Sequence, residues 1–140
     1  MNNLSITERR NDSVIVLDLK GNIRLGEGNI ELHDKLRLLV ERGEKKILLN
    51  LADVFYIDSS GLGELVAGFT TLKKNKGELK LLHLTQRVNE LMMITKLLTV
   101  FEVYESESGA VNSFKNPSKD FETKEQTFVT GKLDEALVNF

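Results

Sequence analysis

Residues 55–63, Phe55-Tyr56-Ile57-Asp58-Ser59-Ser60-Gly61-Leu62-Gly63, join two segments of different periodicity. The preceding run, residues 47–51, is short and continuously apolar, which is typical of a strand covered on both faces. The following run, residues 62–72, spaces its large apolar side chains as the buried face of a helix does. We therefore predict a turn over residues 53–60. Asp and Ser are preferred helix N-caps, so this turn is either a cap alone or also a functional site.

The same periodicities predict the remaining elements. Strands are predicted over residues 4–9, 13–19, 78–84 and 99–104. Helices are predicted over residues 30–42, around residues 88–92 and, at most as a short helix, over residues 108–114. The turn residues Asn11-Asp12-Ser13 make the first two strands a hairpin. A strand, a helix and a strand in succession then imply a right-handed crossover between neighbouring parallel strands.

Residues 21–29 contain three glycines and are predicted as a loop. They do not form a phosphate-binding loop, because they lack both the Gly-x-Gly-x-x-Gly spacing and a Gly-Lys-Ser/Thr ending. We expect Asn29 to cap the helix that follows and Gly43 to end it. Gly77 is expected to end the helix that begins after the central turn.

Length and composition exclude several functional classes. With 140 residues and a net charge of −2, the chain fits one domain without an electrostatic preference for nucleic acid or membrane surfaces. It has no cysteine, which excludes disulfides, thiol catalysis and cysteine-bound metals. No signal peptide is recognisable, and no apolar run approaches the roughly 18–20 residues that cross a bilayer. We expect a soluble cytoplasmic protein that binds no metal and does not insert into membranes.

Residues 115–140 differ from the rest of the chain. Residues 115–120 are polar and include Pro117, the only proline, which is typical of a linker or turn. Residues 126–129 and 134–140 regain some apolar content, as either a small added strand and helix or a partly ordered tail. We therefore predict a domain over residues 1–114 and a C-terminal extension over residues 115–140.

The sequence argues against catalysis. A serine nucleophile elbow requires Gly-x-Ser-x-Gly, and the first glycine is missing before Ser59. The available bases, His33 and His83, fall in a predicted helix and a predicted strand. Asp53 and Asp58 bracket the central turn, where turn formation and capping account for them. We predict that the chain is not an enzyme and carries no cofactor.

The serine pair of the central turn remains unexplained by catalysis. Ser59 and Ser60 are expected at the entrance of a helix, where another enzyme can reach their hydroxyls. A phosphate placed there would meet the positive end of the helix, so it need not unfold the protein. It would still add about −1.5 to −2 charges to the surface, which is enough to abolish docking of a partner.

Residues 56–63, preceded by the apolar strand, closely resemble the signature of the STAS domain, which occurs in bacterial anti-sigma factor antagonists and in sulphate transporters. The segment Gly21-Asn22-Ile23, the helix from Ile30, the strand over 79–84 and residues 88–104 follow in the family's order. The resemblance spans residues 3–114. It implies an α/β fold with a small mixed sheet and helices mainly on one face.

The resemblance also implies a regulatory role without enzymatic activity. In such systems the unphosphorylated antagonist binds an anti-sigma factor that is also a serine kinase, and so releases a sigma factor. The kinase phosphorylates the antagonist with ATP and frees it, and a PP2C-type phosphatase removes the phosphate. The acceptor is the hydroxyl residue directly after the aspartate, which here is Ser59, while Ser60 is the less favoured neighbour.

The resemblance places partner contacts on both sides of the acceptor. The expected residues are Asn22, Arg24, Leu25, Asp58, Ser60, Gly61, Leu62 and Gly63. One of them departs from the family, because many antagonists carry an acidic residue where this chain has Arg24. The reversed charge leaves open which partner is bound and does not affect the fold. The alternative is a STAS partner subunit of a membrane transporter ATPase complex, which the intact Asp-Ser-Ser motif disfavours.

Overall fold

The computed structural model describes residues 4–115, which form five strands, four α-helices and one short 3-10 helix. The strands are β1 (Leu4–Asn11), β2 (Val14–Ile23), β3 (Lys46–Ile57), β4 (Glu78–Leu82) and β5 (Val103–Tyr104). The α-helices are α1 (Glu27–Glu41), α2 (Ser59–Lys74), α3 (Gln86–Ile94) and α4 (Glu107–Lys115), and the 3-10 helix spans Leu97–Thr99. The predicted extension lies, from residue 116 onward, outside the described residues.

The strands form one mixed sheet in the order β1-β2-β3-β4-β5. The hairpin pair β1 and β2 is antiparallel, whereas β2, β3, β4 and β5 are parallel to one another. The predicted hairpin and the parallel neighbours on either side of β3 are therefore confirmed. Because parallel strands end at the same edge of a sheet, the segments that follow β2, β3 and β4 come together there.

Successive side chains of the strands point to opposite faces of the sheet, and each face carries one hydrophobic cluster. The larger cluster lies under α1, α2 and α3 and includes Leu49 and Leu81 from the central strands. The smaller one lies under α4, whose Val111 and Phe114 pack with Leu48. The prediction of helices mainly on one face is confirmed, and α4 is the helix that covers the opposite face.

The predicted loop at residue 21 and the predicted turn at residue 53 both start too early, because β2 and β3 continue to Ile23 and Ile57. Two register shifts in the β2–β3 ladder let the strands continue past their polar and glycine residues. At the first shift, the Asn50 side chain accepts a hydrogen bond from the backbone N–H of Ala52 at 3.2 Å. Pairing between strands satisfies backbone groups that an isolated turn would leave to solvent, so it overrides local turn preference.

Three other predicted boundaries are also wrong. Helix α1 begins at Glu27 after Gly26, whose φ of 111° suits glycine, so Asn29 lies within the helix and does not cap it. Helix α2 ends at Lys74, and the left-handed residue that follows is Lys76 rather than Gly77. The predicted last strand is reduced to Val103–Tyr104, because the preceding residues turn through the 3-10 helix to bury apolar side chains. Gly43, with a φ of 81°, follows the end of α1 as predicted.

Candidate functional site

Asp58 makes the junction between β3 and α2. Its backbone is extended, with φ −102° and ψ −177°, and its carboxylate Oδ1 accepts the backbone N–H of Gly61 at 2.9 Å. Asp58 is therefore the N-cap, and Ser59 and Ser60 are the first two residues of the helix. The predicted position of both serines at a helix entrance is confirmed. Since the aspartate does the capping, capping does not explain either serine.

The second oxygen of the same carboxylate binds a different segment of the chain. Oδ2 of Asp58 accepts the backbone N–H of Leu25 at 3.0 Å, and the backbone N–H of Asp58 donates to the carbonyl of Ile23 at 3.2 Å. These bonds hold the short β2–α1 loop against the start of α2. The loop that carries Arg24 therefore lies beside the serine pair, as expected.

The two serines differ in accessibility. Ser59 is exposed, whereas Ser60 is half-buried. Within residues 4–115, neither hydroxyl makes a side-chain hydrogen bond, so both remain free to react. The first turn of α2 holds no acidic side chain, and the N–H groups of a first turn have no partner within their own helix. The site thus presents an exposed hydroxyl on the first residue of a helix whose N-terminal N–H groups are capped at one point by the Asp58 carboxylate.

The two glycines of the motif have different surroundings. A Cβ placed on Gly61 would lie 2.3 Å from the carbonyl oxygen of Ile23 and 2.7 Å from Cγ1 of Ile57. A Cβ placed on Gly63 would have no atom within 4 Å. Leu62, between them, is buried in the core with 3% of its surface exposed. Gly61 and Leu62, which were predicted to contact a partner, are thus buried against the sheet, whereas Gly63 is half-buried with open space beside it.

A tyrosine and two arginines lie at the same edge of the sheet. The guanidinium carbons of Arg24 and Arg87 each lie 5.8 Å from the centre of the Tyr56 ring. Tyr56 is opposite Asn22 in the β2–β3 register, and Arg87 stands in the first turn of α3, which follows β4. Arg87 was not among the predicted site residues. Its position after a parallel strand was the available signal, because such segments gather at one edge.

Neither histidine is placed to activate the serines. His33 on α1 contacts Oε1 of Glu64 on α2 through Nδ1 at 2.5 Å, and His83 follows β4 with a φ of 55°. Among the described residues no hydrogen bond joins a serine of the pair to a histidine. Asp53 is exposed on β3. In this part of the chain, no three His, Asp or Glu side chains group as metal ligands would.

The carboxylates with lowered pKa values belong to ion pairs that do not involve the serine pair. Hydrogen bonds from Arg42 and Lys35 lower the pKa of Glu8 to about 2, which fastens β1 to α1. Hydrogen bonds from Arg9 and then Asn11 lower the pKa of Glu107 to about 2, which fastens α4 to the hairpin. These groups stabilise the scaffold and take no part in the candidate site.

The fold and site define a class of protein: a small mixed-sheet α/β domain that exposes a hydroxyl at a helix N-terminus. The chain belongs to the STAS domain family, whose model matches residues 5–110. Of the helices within residues 4–115, none has the length and apolar character needed to cross a membrane.

Curated relatives and solved structures agree with this assignment. The chain is 33% identical to the "Anti-sigma-B factor antagonist" of Bacillus subtilis over 109 residues, which cover 78% of this chain and 98% of that relative. An anti-sigma factor antagonist structure from Mycobacterium paratuberculosis superposes with a TM-score of 0.72 at 19% identity, covering 81% and 95% of the two chains.

The anti-sigma factor antagonist SpoIIAA in its unphosphorylated form gives a TM-score of 0.69 at 18% identity, covering 79% of this chain and 96% of that one. A phosphorylated form of the Bacillus SpoIIAA has also been solved. At these identities the two structures establish the fold, and the resemblance seen in the sequence is confirmed.

Proposed function

We propose that this chain is an anti-sigma factor antagonist switched by phosphorylation of Ser59. In the unmodified state it binds an anti-sigma factor that is also a serine kinase, and so frees a sigma factor. The kinase transfers the γ-phosphoryl group of ATP to the Ser59 hydroxyl, leaving ADP, and the phosphorylated chain dissociates. A PP2C-type phosphatase hydrolyses the phosphoserine and restores binding. The chain acts in the cytoplasm as a binding module and not as a catalyst.

The observation that carries this proposal is the free, exposed hydroxyl of Ser59 on the first residue of α2. The Asp58 carboxylate already caps the helix, so modification of Ser59 removes no hydrogen bond that the fold uses. The Bacillus subtilis relative, named an anti-sigma-B factor antagonist, supports the same function. The reported relatives do not favour the transporter ATPase alternative.

Electrostatics explains how one phosphate would act as a switch. A phosphoserine at the first turn is stabilised by the helix dipole and by the backbone N–H groups there. The fold should therefore tolerate it. The added charge of about −1.5 to −2 changes the docking surface beside the β2–α1 loop, where it opposes the approach of a partner shaped for a neutral hydroxyl.

The experiment uses the purified chain, the anti-sigma factor serine kinases of the same organism tested one at a time, and Mg-ATP. Intact-mass and peptide mass spectrometry should show one phosphate on Ser59 in the wild type and in Ser60→Ala, and none in Ser59→Ala. Ser59→Asp should weaken kinase binding, measured by calorimetry, while its melting temperature stays close to that of the wild type. The proposal fails if the kinase binds the chain and never modifies Ser59. A large loss of stability in Ser59→Asp would instead assign Ser59 a structural role.

A further inference from the structure

Four of the six arginines of this chain are neutralised within the domain, and two are not. Each of the four pairs with at least one carboxylate, and they are Arg9, Arg10, Arg37 and Arg42. Arg24 and Arg87 have no carboxylate partner among the described residues, and both are exposed. They come from loops and helices that are distant in sequence, yet both lie over the ring of Tyr56 at 5.8 Å.

This arginine–tyrosine cluster, Arg24, Tyr56 and Arg87, is suited to a carboxylate ligand. A guanidinium presents planar, paired donors that match a carboxylate, and a neighbouring aromatic ring holds the guanidinium in place. Each guanidinium is thus positioned at the Tyr56 ring, where an acidic side chain can gain charge-assisted hydrogen bonds. Neither arginine would have to leave an existing ion pair in order to form them.

The surroundings favour a protein as the occupant. Arginine and tyrosine are enriched at the centres of protein interfaces. Leu25, next to Arg24, leaves 77% of its surface exposed, which adds an apolar contact to the cluster. Nucleic acid is disfavoured, because its binding requires neutralisation of many phosphates, whereas this cluster supplies two cations on a chain of net charge −2.

We infer that the arginine–tyrosine cluster binds an acidic surface of the anti-sigma factor kinase, and that this surface sets which kinase the chain recognises. The inference rests on the proposed function and extends its docking surface across the sheet edge to Arg87. Asp58 holds the Arg24 loop against α2, so the acidic surface would lie beside Ser59. A phosphate on Ser59 would then bring negative charge against a negatively charged partner, which gives a direct cause for release.

The test measures kinase affinity by calorimetry for Arg24→Glu, Arg87→Glu and the double variant at low and high salt. Each single reversal should weaken binding roughly tenfold, and the double variant roughly 100-fold, because like charges then face each other across the interface. Binding of the wild type should weaken as salt rises, whereas binding of the double variant should strengthen, because salt screens the repulsion between the facing like charges. The matched control is Arg37→Glu, an exposed arginine on α1, which should bind within about twofold of the wild type.

Four outcomes distinguish this inference from its alternatives. Reversing the facing acidic residues of the kinase to lysine should restore binding of the double variant, which a merely misfolded variant would not show. If the double variant binds like the wild type and is still phosphorylated on Ser59, the inference is wrong and the proposed function stands. If the double variant binds the kinase normally but the phosphatase removes its phosphate faster, the arginines contact the phosphoserine and not the kinase, and the inference is again wrong. If the wild type neither binds the kinase nor accepts phosphate, both proposals fail.

Discussion

The two glycines of the central motif provide a sharp test, because Gly61→Ala and Gly63→Ala should change stability in opposite directions. Both residues lie in α2, where helix propensity alone favours alanine over glycine by about 1 kcal/mol. At Gly61 the added methyl would meet the carbonyl oxygen of Ile23 at 2.3 Å and Cγ1 of Ile57 at 2.7 Å. A backbone carbonyl cannot move aside as a flexible side chain can, so α2 and β2 would have to separate.

The magnitude follows from what that separation disturbs. Overpacking of this kind typically costs 1–3 kcal/mol, occasionally more. The shift also strains the hydrogen bond from Asp58 to Ile23 and the bond from Gly61 to Asp58, each worth about 1 kcal/mol. After the gain in helix propensity is subtracted, the free energy of unfolding should fall by about 2–4 kcal/mol. For a domain of this size, the melting temperature should fall by roughly 10–15 °C.

Gly63→Ala is the matched control. Its methyl would meet no atom within 4 Å, so the helix-propensity term acts alone. The free energy of unfolding should rise by about 0.5–1 kcal/mol. Urea and thermal denaturation followed by circular dichroism measure both variants. A Gly61→Ala protein as stable as the wild type would refute the close approach of α2 to Ile23, and a destabilised Gly63→Ala protein would refute its open surroundings.

Two further predictions concern the carboxylates that hold the fold. Asp58→Ala should lower the free energy of unfolding, measured in urea, by about 2 kcal/mol, because it removes the helix cap and the hydrogen bond from Leu25. Asp58→Asn keeps one acceptor oxygen, so the loss should be about 1 kcal/mol. Glu107→Gln should lower the free energy of unfolding by about 1 kcal/mol at pH 7, because it weakens the hydrogen bonds from Arg9. In the folded protein the pKa of Glu107 is lowered from 4.5 to about 2. The extra stability of the wild type over Glu107→Gln should therefore disappear as the pH falls from 4.5 to 2. Urea midpoints at pH 7, 4 and 3 that fall in parallel for the two proteins would contradict this account.

The sequence predicted the central part of the fold well, because burial on both faces leaves a strong pattern. The apolar run at residues 47–51 forms part of β3, and the stripe from Leu62 to Leu72 forms the buried face of α2. The serine pair was placed at the start of that helix for the same reason. These features follow from the spacing of apolar residues within one segment. That spacing can be read from the sequence without knowing which other segments pack beside it.

The errors arose where one segment depends on another. Gly21 and Asp53 favour a turn locally, yet the paired strands continue past both with shifts in register. The last predicted strand is shortened because burial of Phe101 turns the chain before β5. The burial of Lys80 could not be expected from the sequence, but α4 packs over it and its Nζ donates a hydrogen bond to Oγ of Ser113 at 2.9 Å.

The candidate site shows the same limit. Ser59, the proposed acceptor, and Asp58, which caps the helix, are neighbours in sequence, so the motif indicated them together. Arg87 joins the cluster only because β3 and β4 are adjacent and parallel, which brings the start of α3 to the edge where Tyr56 lies. Residues contributed across a sheet edge leave no local pattern, and only the topology identifies them.

The shared carboxylate of Asp58 has a consequence for how fast and how tightly a partner docks. One side chain holds the N–H of Leu25 and the N–H of Gly61, so the loop and the helix start cannot rearrange independently. A partner therefore meets a surface that is already assembled, and little conformational entropy is lost when it binds. Under the proposed function, a phosphate on Ser59 would meet the same tethered loop, so loop movement would do little to relieve its charge at the interface.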